Sequence, residues 1–110
     1  MVTARLKSGV WIQARVRQCD LDGVPAVVVR CGDPDAGAIL VKLNRAGAGC
    51  VVYTRFRDME GETSWMPGTG DEPVEESAAD AYIERQTARD RDLWVLEIED
   101  HRGDFTLDEN

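Results

Sequence analysis

Apolar and polar positions follow a strand-like pattern in the first half of the chain. Residues 25–31 read PAVVVRC, residues 38–45 read AILVKLNR and residues 50–57 read CVVYTRFR. β-Branched and aromatic residues are frequent in these runs, and short Gly-rich gaps separate them. The pattern predicts three consecutive strands of an antiparallel meander. A shorter strand is predicted over residues 62–66.

The second half of the chain contains the clearest helical pattern. Residues 74–89 carry acidic residues in the first turn and arginines in the last turn, which suits the helix dipole. Residues 92–99, DLWVLEIE, alternate as a final strand. The polar tail over residues 101–110 is expected to fray.

The N-terminal segment is ambiguous, because residues 3–22 fit both a strand alternation and a helical stripe. Its Ala, Leu, Arg and Gln content favours a helix, with Thr3 as a possible N-cap. Gly23 followed by Pro25 is typical of a helix end. We therefore predict a helix over residues 3–22.

This order of elements predicts one α+β domain over residues 1–110. The expected architecture is an antiparallel four- to five-stranded sheet with two helices packed on one face. Hydrophobic residues make up 43% of the chain, which is ordinary for a globular protein.

Two short hairpins would fix the register of the meander. If residues 32–37 and 46–49 are tight turns, Val28 pairs with Val41 and Leu43 pairs with Val52. One sheet face is then almost wholly apolar and is expected to lie beneath the helices. That face comprises Ala26, Val28, Ile39, Val41, Leu43, Val52 and Phe56.

The opposite sheet face is half aliphatic and is expected to be exposed. An apolar patch rimmed by charge is more typical of an interface than of a free surface. This face is the candidate interaction surface. It comprises Val27, Val29, Leu40, Lys42, Val51, Tyr53 and Arg55.

The net charge of −8 restricts the possible partners. Phosphate-rich surfaces would be repelled, so we expect binding to neither nucleic acid nor membranes. A nucleic-acid adaptor using Arg15, Arg17, Arg30 and Arg45 is the weakest alternative for the same reason. The charged N-terminal segment lacks the apolar run of a signal peptide, and a cytoplasmic location is expected.

The three cysteines and one histidine offer few routes to catalysis. Cys19, Cys31 and Cys50 match no zinc-binding spacing, and no metal or other cofactor is expected. A nucleophilic cysteine would need a nearby base, and His101 is the only histidine that could supply one. Cysteines in apolar runs usually behave as small buried hydrophobic residues. We therefore assign no catalytic residue.

The loop GDPDAG over residues 32–37 could bind a ligand or merely reverse the chain. It lacks a phosphate-binding glycine pattern and a following helix, and it has too few oxygen ligands for calcium. A turn is the simpler interpretation, since Asp33 can cap it and Gly37 suits a special backbone conformation. The alternative ligand loop would comprise Arg30, Asp33, Asp35 and Trp65.

Three passages together resemble one family. They are GVPAVVVRCGDPDAGAILVKLNR at 23–45, WMPGTG at 65–70 and RQTARDRDLWVLEIEDHR at 85–102. The chain is similar, over nearly its whole length, to the short alphaproteobacterial proteins grouped as domain of unknown function 1491. The resemblance implies a small cytoplasmic bacterial protein and supplies no catalytic residues. It also implies that an arginine often stands at the position of Cys31.

Two functional hypotheses from different classes remain. The first is a non-catalytic module that docks a protein partner or forms a homo-oligomer such as a dimer. The second is a small-molecule-binding protein or weak hydrolase that uses the loop at 30–37. A concave site that holds Asp33 and Trp65 would favour the second hypothesis.

Overall fold

The computed structural model describes residues 6–57, 59–60 and 63–107, without the side chains of residues 56, 57 and 63. Two helices and a five-stranded mixed sheet form an open α+β fold, which confirms the predicted fold class. In chain order the elements are α1 (Ser8–Leu21), β1 (Ala26–Arg30), β2 (Ile39–Asn44), a 3-10 turn (Ala46–Ala48), β3 (Cys50–Arg57), β4 (Thr63–Pro67), α2 (Glu76–Arg89) and β5 (Trp94–Glu99). Among the described helices, none is long and apolar enough to cross a membrane.

The strand order is β1-β5-β2-β3-β4, so the last strand lies inside the sheet. β5 runs antiparallel to β1 and parallel to β2, and the other pairs are antiparallel. The predicted hairpin between residues 25–31 and 38–45 is therefore wrong. The loop between these strands reverses the chain but steps over β5 instead of closing a tight hairpin.

The helices lie on opposite faces of the sheet, which corrects the prediction that both pack on one face. Alternate residues of β2 enter different cores, since Val41 packs with Ile12 of α1 whereas Leu40 packs with Ala79 of α2. The α1 core comprises Trp11, Ile12, Cys19, Ile39, Val41, Leu43, Trp94, Leu96 and Ile98. The α2 core comprises Leu40, Cys50, Val52, Ala79 and Leu93.

The β2–β3 hairpin exists, but its register differs by one residue from the prediction. Val41 lies opposite Tyr53, and Lys42 lies opposite Val52. Because side chains alternate across a strand, this slip moves Val52 to the α2 face and Tyr53 to the α1 face. The side chain of Phe56, predicted on the same face as Val52, lies outside the described residues.

The GDPDAG loop wraps around the chain where it enters β5. The amide of Asp33 donates to the carbonyl oxygen of Asp92 at 3.0 Å, and the Trp94 amide donates to Ala38 at 2.8 Å. A Cβ on Gly32 or on Gly37 would collide with the Asp92 carbonyl group. Both positions therefore require glycine because the entering backbone passes against them.

The same loop also closes the start of α1. The amide of Gly9 donates to the Pro34 carbonyl at 2.8 Å, and the Ser8 hydroxyl donates to the Gly37 carbonyl at 2.6 Å. The Gly9 bond and a bond from the Ser8 amide to the Asp35 carbonyl at 3.3 Å satisfy amides that a helix start leaves without intrahelical partners. The helix begins at Ser8, later than the predicted residue 3, and Thr3 lies outside the described residues.

Residues 101–107 are anchored to the rest of the fold, whereas the sequence predicted that they would fray. The buried carboxylate of Asp100 accepts hydrogen bonds from the amides of Gly103 at 2.9 Å and Phe105 at 3.1 Å. Phe105 and Leu107 pack against the α1 core. The rest of the predicted tail, residues 108–110, lies outside the described part of the chain.

Candidate functional site

Lys42 is the most deeply buried basic residue among the described side chains, and α2 supplies most of its partners. Its position on β2 turns the side chain toward α2, where Glu76 and Asp80 are one helical turn apart. The Lys42 Nζ lies 2.8 Å from a carboxylate oxygen of each and 3.6 Å from Glu97 on β5. Asn44 extends the cluster, donating to Glu97 at 3.3 Å.

The Lys42 cluster stabilises the fold and is unsuited to catalysis. Burial alone would lower the pKa of Lys42, but hydrogen bonds to Asp80 and Glu76 and the charge of Glu97 outweigh burial and raise the pKa above its ordinary value. A lysine that acts as a nucleophile or base needs a lowered pKa. Lys42 therefore stays charged and joins the helix to the sheet.

A groove of about 240 Å³ opens beside this cluster, between α2 and the edge strand β1. Val95 and Ile83 supply apolar surface, and Val29 lies at the edge. The Arg30 guanidinium closes one end, where Nη2 donates to the Arg91 carbonyl at 3.0 Å. Its Nε is buried and has no hydrogen-bond partner among the described residues. The groove's lining comprises Val29, Arg30, Lys42, Asp80, Ile83, Glu84, Thr87, Val95 and Glu97.

The edge of β1 beside this groove offers free backbone groups. The Glu99 amide donates to the Pro25 carbonyl at 2.9 Å, so Pro25 and Val27 turn their backbone groups toward β5. By alternation, Ala26 and Val28 turn theirs away from the sheet. Within the described part of the chain, no backbone hydrogen bond outside the β1–β5 ladder engages them. This edge can therefore accept another strand.

The structure does not keep the predicted interaction surface, which comprised Val27, Val29, Leu40, Lys42, Val51, Tyr53 and Arg55, on one exposed face. Val51 is buried. Leu40 and Lys42 are buried beneath α2. Tyr53 and Arg55 face α1, and the Arg55 guanidinium lies 5.6 Å from the Trp11 ring centroid. The two valines of β1 remain together on the α2 side, each 57% exposed.

The predicted ligand-loop residues do not converge in the described contacts. Asp33 caps its own turn, since its Oδ2 accepts from the Ala36 amide at 2.8 Å, and Asp35 forms an exposed ion pair with Lys7 at 3.6 Å. Trp65 packs against Trp11 with ring centroids 5.4 Å apart and ring planes tilted by 41°. Arg30 belongs to the groove described above. These contacts support the turn interpretation of the loop.

Cys50 and His101 line one cleft together with Glu75, Glu76 and Glu99, but the Cys50 side chain is buried and His101 contacts Glu99 instead of the thiol in the described contacts. Burial raises the pKa of the Cys19 and Cys50 thiols, which opposes nucleophilic use. Cys31 is exposed, and His101 contacts Glu99 at 3.2 Å. Within the described ranges, no group of three or more His, Cys, Asp and Glu side chains could hold a metal ion.

Sequence reasoning allowed a pairing of Lys42 with Glu97 if the last strand joined the sheet, but it missed the two partners of Lys42 on α2 and the groove beside them. The spacing of Glu76 and Asp80 places both on one side of a helix, and this signal was available. Nothing in the sequence indicated which sheet face α2 covers, because that depends on where β5 inserts. The edge position of β1 depends on the same insertion.

A comparison with family profiles matches residues 6–108 to "Protein of unknown function (DUF1491)". A comparison with curated proteins finds no match.

A crystal structure of a DUF1491 family protein from Caulobacter crescentus CB15 is similar at 37% identity and a TM-score of 0.79, covering 87% of this chain and 89% of that one. An NMR structure of a DUF1491 family protein from the same bacterium gives 36% identity and a TM-score of 0.78, covering 89% and 88%. The solution structure of a protein from A. tumefaciens gives 30% identity and a TM-score of 0.74, covering 88% and 87%. The profile match and these likenesses together show that the chain belongs to the DUF1491 family.

Proposed function

We propose that this protein is a non-catalytic protein-interaction module that accepts a strand of its partner at the edge of β1. The observation that carries the proposal is the pair of exposed valines, Val27 and Val29, beside outward-facing backbone groups of Ala26 and Val28. Strand addition uses both features, since backbone bonds give affinity and side-chain contacts give specificity.

The two edges of the sheet differ in a way that supports β1 as the docking edge. Native proteins protect edge strands with proline, charge or bulges. β4 contains Pro67, which has no amide hydrogen to offer. β1 reads AVVVR, with its bulge and its charge only at the Arg30 end. The first three residues of β1 form a regular apolar edge.

The expected energetic gain is modest and suits a reversible contact. Full burial of a valine side chain stabilises by roughly 1.5–3 kcal/mol, and Val27 and Val29 are each a little more than half exposed. The gross gain from both is therefore about 2–3 kcal/mol, to which the backbone hydrogen bonds add about 1 kcal/mol each. Losses of motional freedom reduce this sum.

The buried polar groups support a non-catalytic role. Lys42 is held charged by three carboxylates, and the raised pKa values of Cys19 and Cys50 oppose thiolate formation. The small-molecule alternative has less support, because Asp33 caps its own turn and Trp65 packs against Trp11.

Photo-crosslinking in the host cell tests the proposal. A photoreactive amino acid is placed at Val29, and a matched variant carries it at Met66, which is 46% exposed on the other edge strand. We expect a discrete adduct from position 29 and none from position 66. The captured protein is then purified, and its binding should fall at least tenfold with Val29→Lys.

Two outcomes would overturn the proposal. One is equal labelling from both positions. The other is a purified partner that binds the Val29→Lys variant as well as the original chain. An adduct between two copies of this chain would instead identify the module as self-associating, with the same edge in use.

A further inference from the structure

We infer that the strand added at β1 is an extended segment of another protein in which lysine or arginine alternates with aliphatic residues. This inference rests on the proposed function, because it names the kind of segment that the edge would accept. It is carried by the charges that border the groove and by the different character of the two sides of β1.

The charges along the groove favour a cationic occupant. The lining carries three carboxylates, on Asp80, Glu84 and Glu97, and two cations, on Lys42 and Arg30, and the Asp80 carboxylate stays more than half exposed although it binds Lys42. Lys42 is only 3% exposed and is already bound by carboxylates, so it offers no contact to a partner. Glu84, by contrast, is exposed on the rim. The whole chain, at −8, adds a field of the same sign.

The two sides of β1 prescribe an alternating pattern. On the α2 side, Val27 and Val29 present apolar surface that leads toward Glu97 and Glu84. Lysine and arginine suit this arrangement, since their stems pack on apolar surface while their charged ends reach a carboxylate. On the other side, Ala26 and Val28 are half-buried against the α1 core.

The half-buried side of β1 therefore favours an aliphatic neighbour. Because successive side chains of a strand point to opposite faces, one added segment can satisfy both sides only if basic and aliphatic residues alternate. The environment of β1 therefore predicts an alternating basic and aliphatic sequence for the partner strand.

A second copy of this chain is a poorer occupant. Antiparallel pairing of two β1 strands about Val28 would match Val27 with Val29 of the other copy, which is favourable. Each copy would also bring the same acidic groove and the same −8 charge, however, and these repel. The charge therefore favours a different, basic chain.

Synthetic peptides test the inference directly. The probes are two eight-residue peptides, one alternating Lys with Val and one alternating Glu with Val. We expect the Lys peptide to slow hydrogen exchange of the Ala26 and Val28 amides and to bind at least tenfold more tightly than the Glu peptide. Its affinity should fall as salt is raised, because salt screens the attraction.

Charge reversal on α2 provides matched variants. Glu84→Lys changes the groove beside β1, whereas Glu75→Lys makes the same change at the cleft on the other side of the cluster. We expect Glu84→Lys to weaken the Lys peptide at least fivefold and Glu75→Lys to weaken it less than twofold. Circular dichroism confirms that each variant is folded.

Three results would overturn the inference: equal binding of both peptides, equal losses from both variants, or exchange protection on β4 instead of β1. A photo-crosslinked partner that contacts position 29 through an extended acidic segment would also overturn it while leaving the proposed function intact. Sedimentation that shows dimerisation lost with Val29→Lys would assign the edge to a second copy and contradict the inference.

Discussion

The Lys42 ammonium and the Asp80 carboxylate are 2.8 Å apart, although β2 and α2 are distant in sequence. Glu76, one turn earlier on the same helix, binds the same ammonium at 2.8 Å. Two bonds from one helix to one point on the sheet fix the rotation of α2 about its axis. That rotation sets which α2 side chains border the groove beside β1.

Replacement of Lys42 tests this link. Lys42→Met should lower the free energy of unfolding by about 1–3 kcal/mol, because it removes two charge-assisted hydrogen bonds and leaves the carboxylates of Glu76, Asp80 and Glu97 close together. Urea unfolding measures the change. The control is Lys7→Met, whose ion pair with Asp35 is mostly exposed and should be worth less than about 0.5 kcal/mol. Equal losses from both would contradict the assignment.

Alkaline pH should weaken the same cluster. The pKa of Lys42 is higher in the folded chain than in the unfolded chain, so its contribution is complete below about pH 10, the unfolded value, and is lost as pH rises through the folded value. The stability difference between the original chain and Lys42→Met should therefore be constant from about pH 7 to 9 and shrink at higher pH. A difference that grows above pH 10 would refute the shift.

The glycines of the GDPDAG loop should be intolerant of a methyl group. Gly32→Ala and Gly37→Ala each place a Cβ against the Asp92 carbonyl, and we expect a loss of about 3 kcal/mol or more because backbone must move. Gly47→Ala is the matched control, since a Cβ there meets nothing within 4 Å. Thermal unfolding compares the three variants. Similar melting temperatures for all of them would show that the loop does not enclose Asp92.

The thiols should differ sharply in reactivity. Cys31 is exposed, whereas Cys19 and Cys50 are each 1% exposed. An aromatic disulfide reagent should therefore modify one thiol rapidly in the native chain and all three after denaturation. Cys31→Ser should abolish the rapid phase and leave the melting temperature nearly unchanged. A rapid phase that survives this substitution would place a second thiol at the surface.

The sequence carried enough local information for the elements but not for all of their neighbours. Strands over 25–31, 38–45 and 50–57 were predicted within about two residues, because β-branched runs and Gly-rich gaps are local signals. The pairing of β1 was not predictable in this way. A short loop such as residues 31–38 can close a hairpin or step over one strand, and the strand that it steps over, β5, comes much later in the chain.

The candidate site was only partly predictable for the same reason. Val27 and Val29 were correctly placed together, since alternation along one strand needs no knowledge of its neighbours. Leu40 and Lys42 were assigned to the same exposed surface because α2 was expected on the other face. Tyr53 and Arg55 were misplaced by a one-residue slip in the β2–β3 register. Because the strand pairing and the side covered by α2 were wrongly predicted, the buried Lys42 cluster was assigned to an exposed surface.

The inner position of β5 has a consequence for synthesis on the ribosome. β1 and β2 are synthesised before β5, although β5 is the strand that lies between them. Ala26 therefore cannot form its pair until Ile98 has been synthesised. Until then β1 has no sheet neighbour, and its apolar side chains remain available to chaperones or to other nascent chains. We expect the five-stranded sheet to form only after β5 has left the ribosome, because β5 joins β1 to the other three strands.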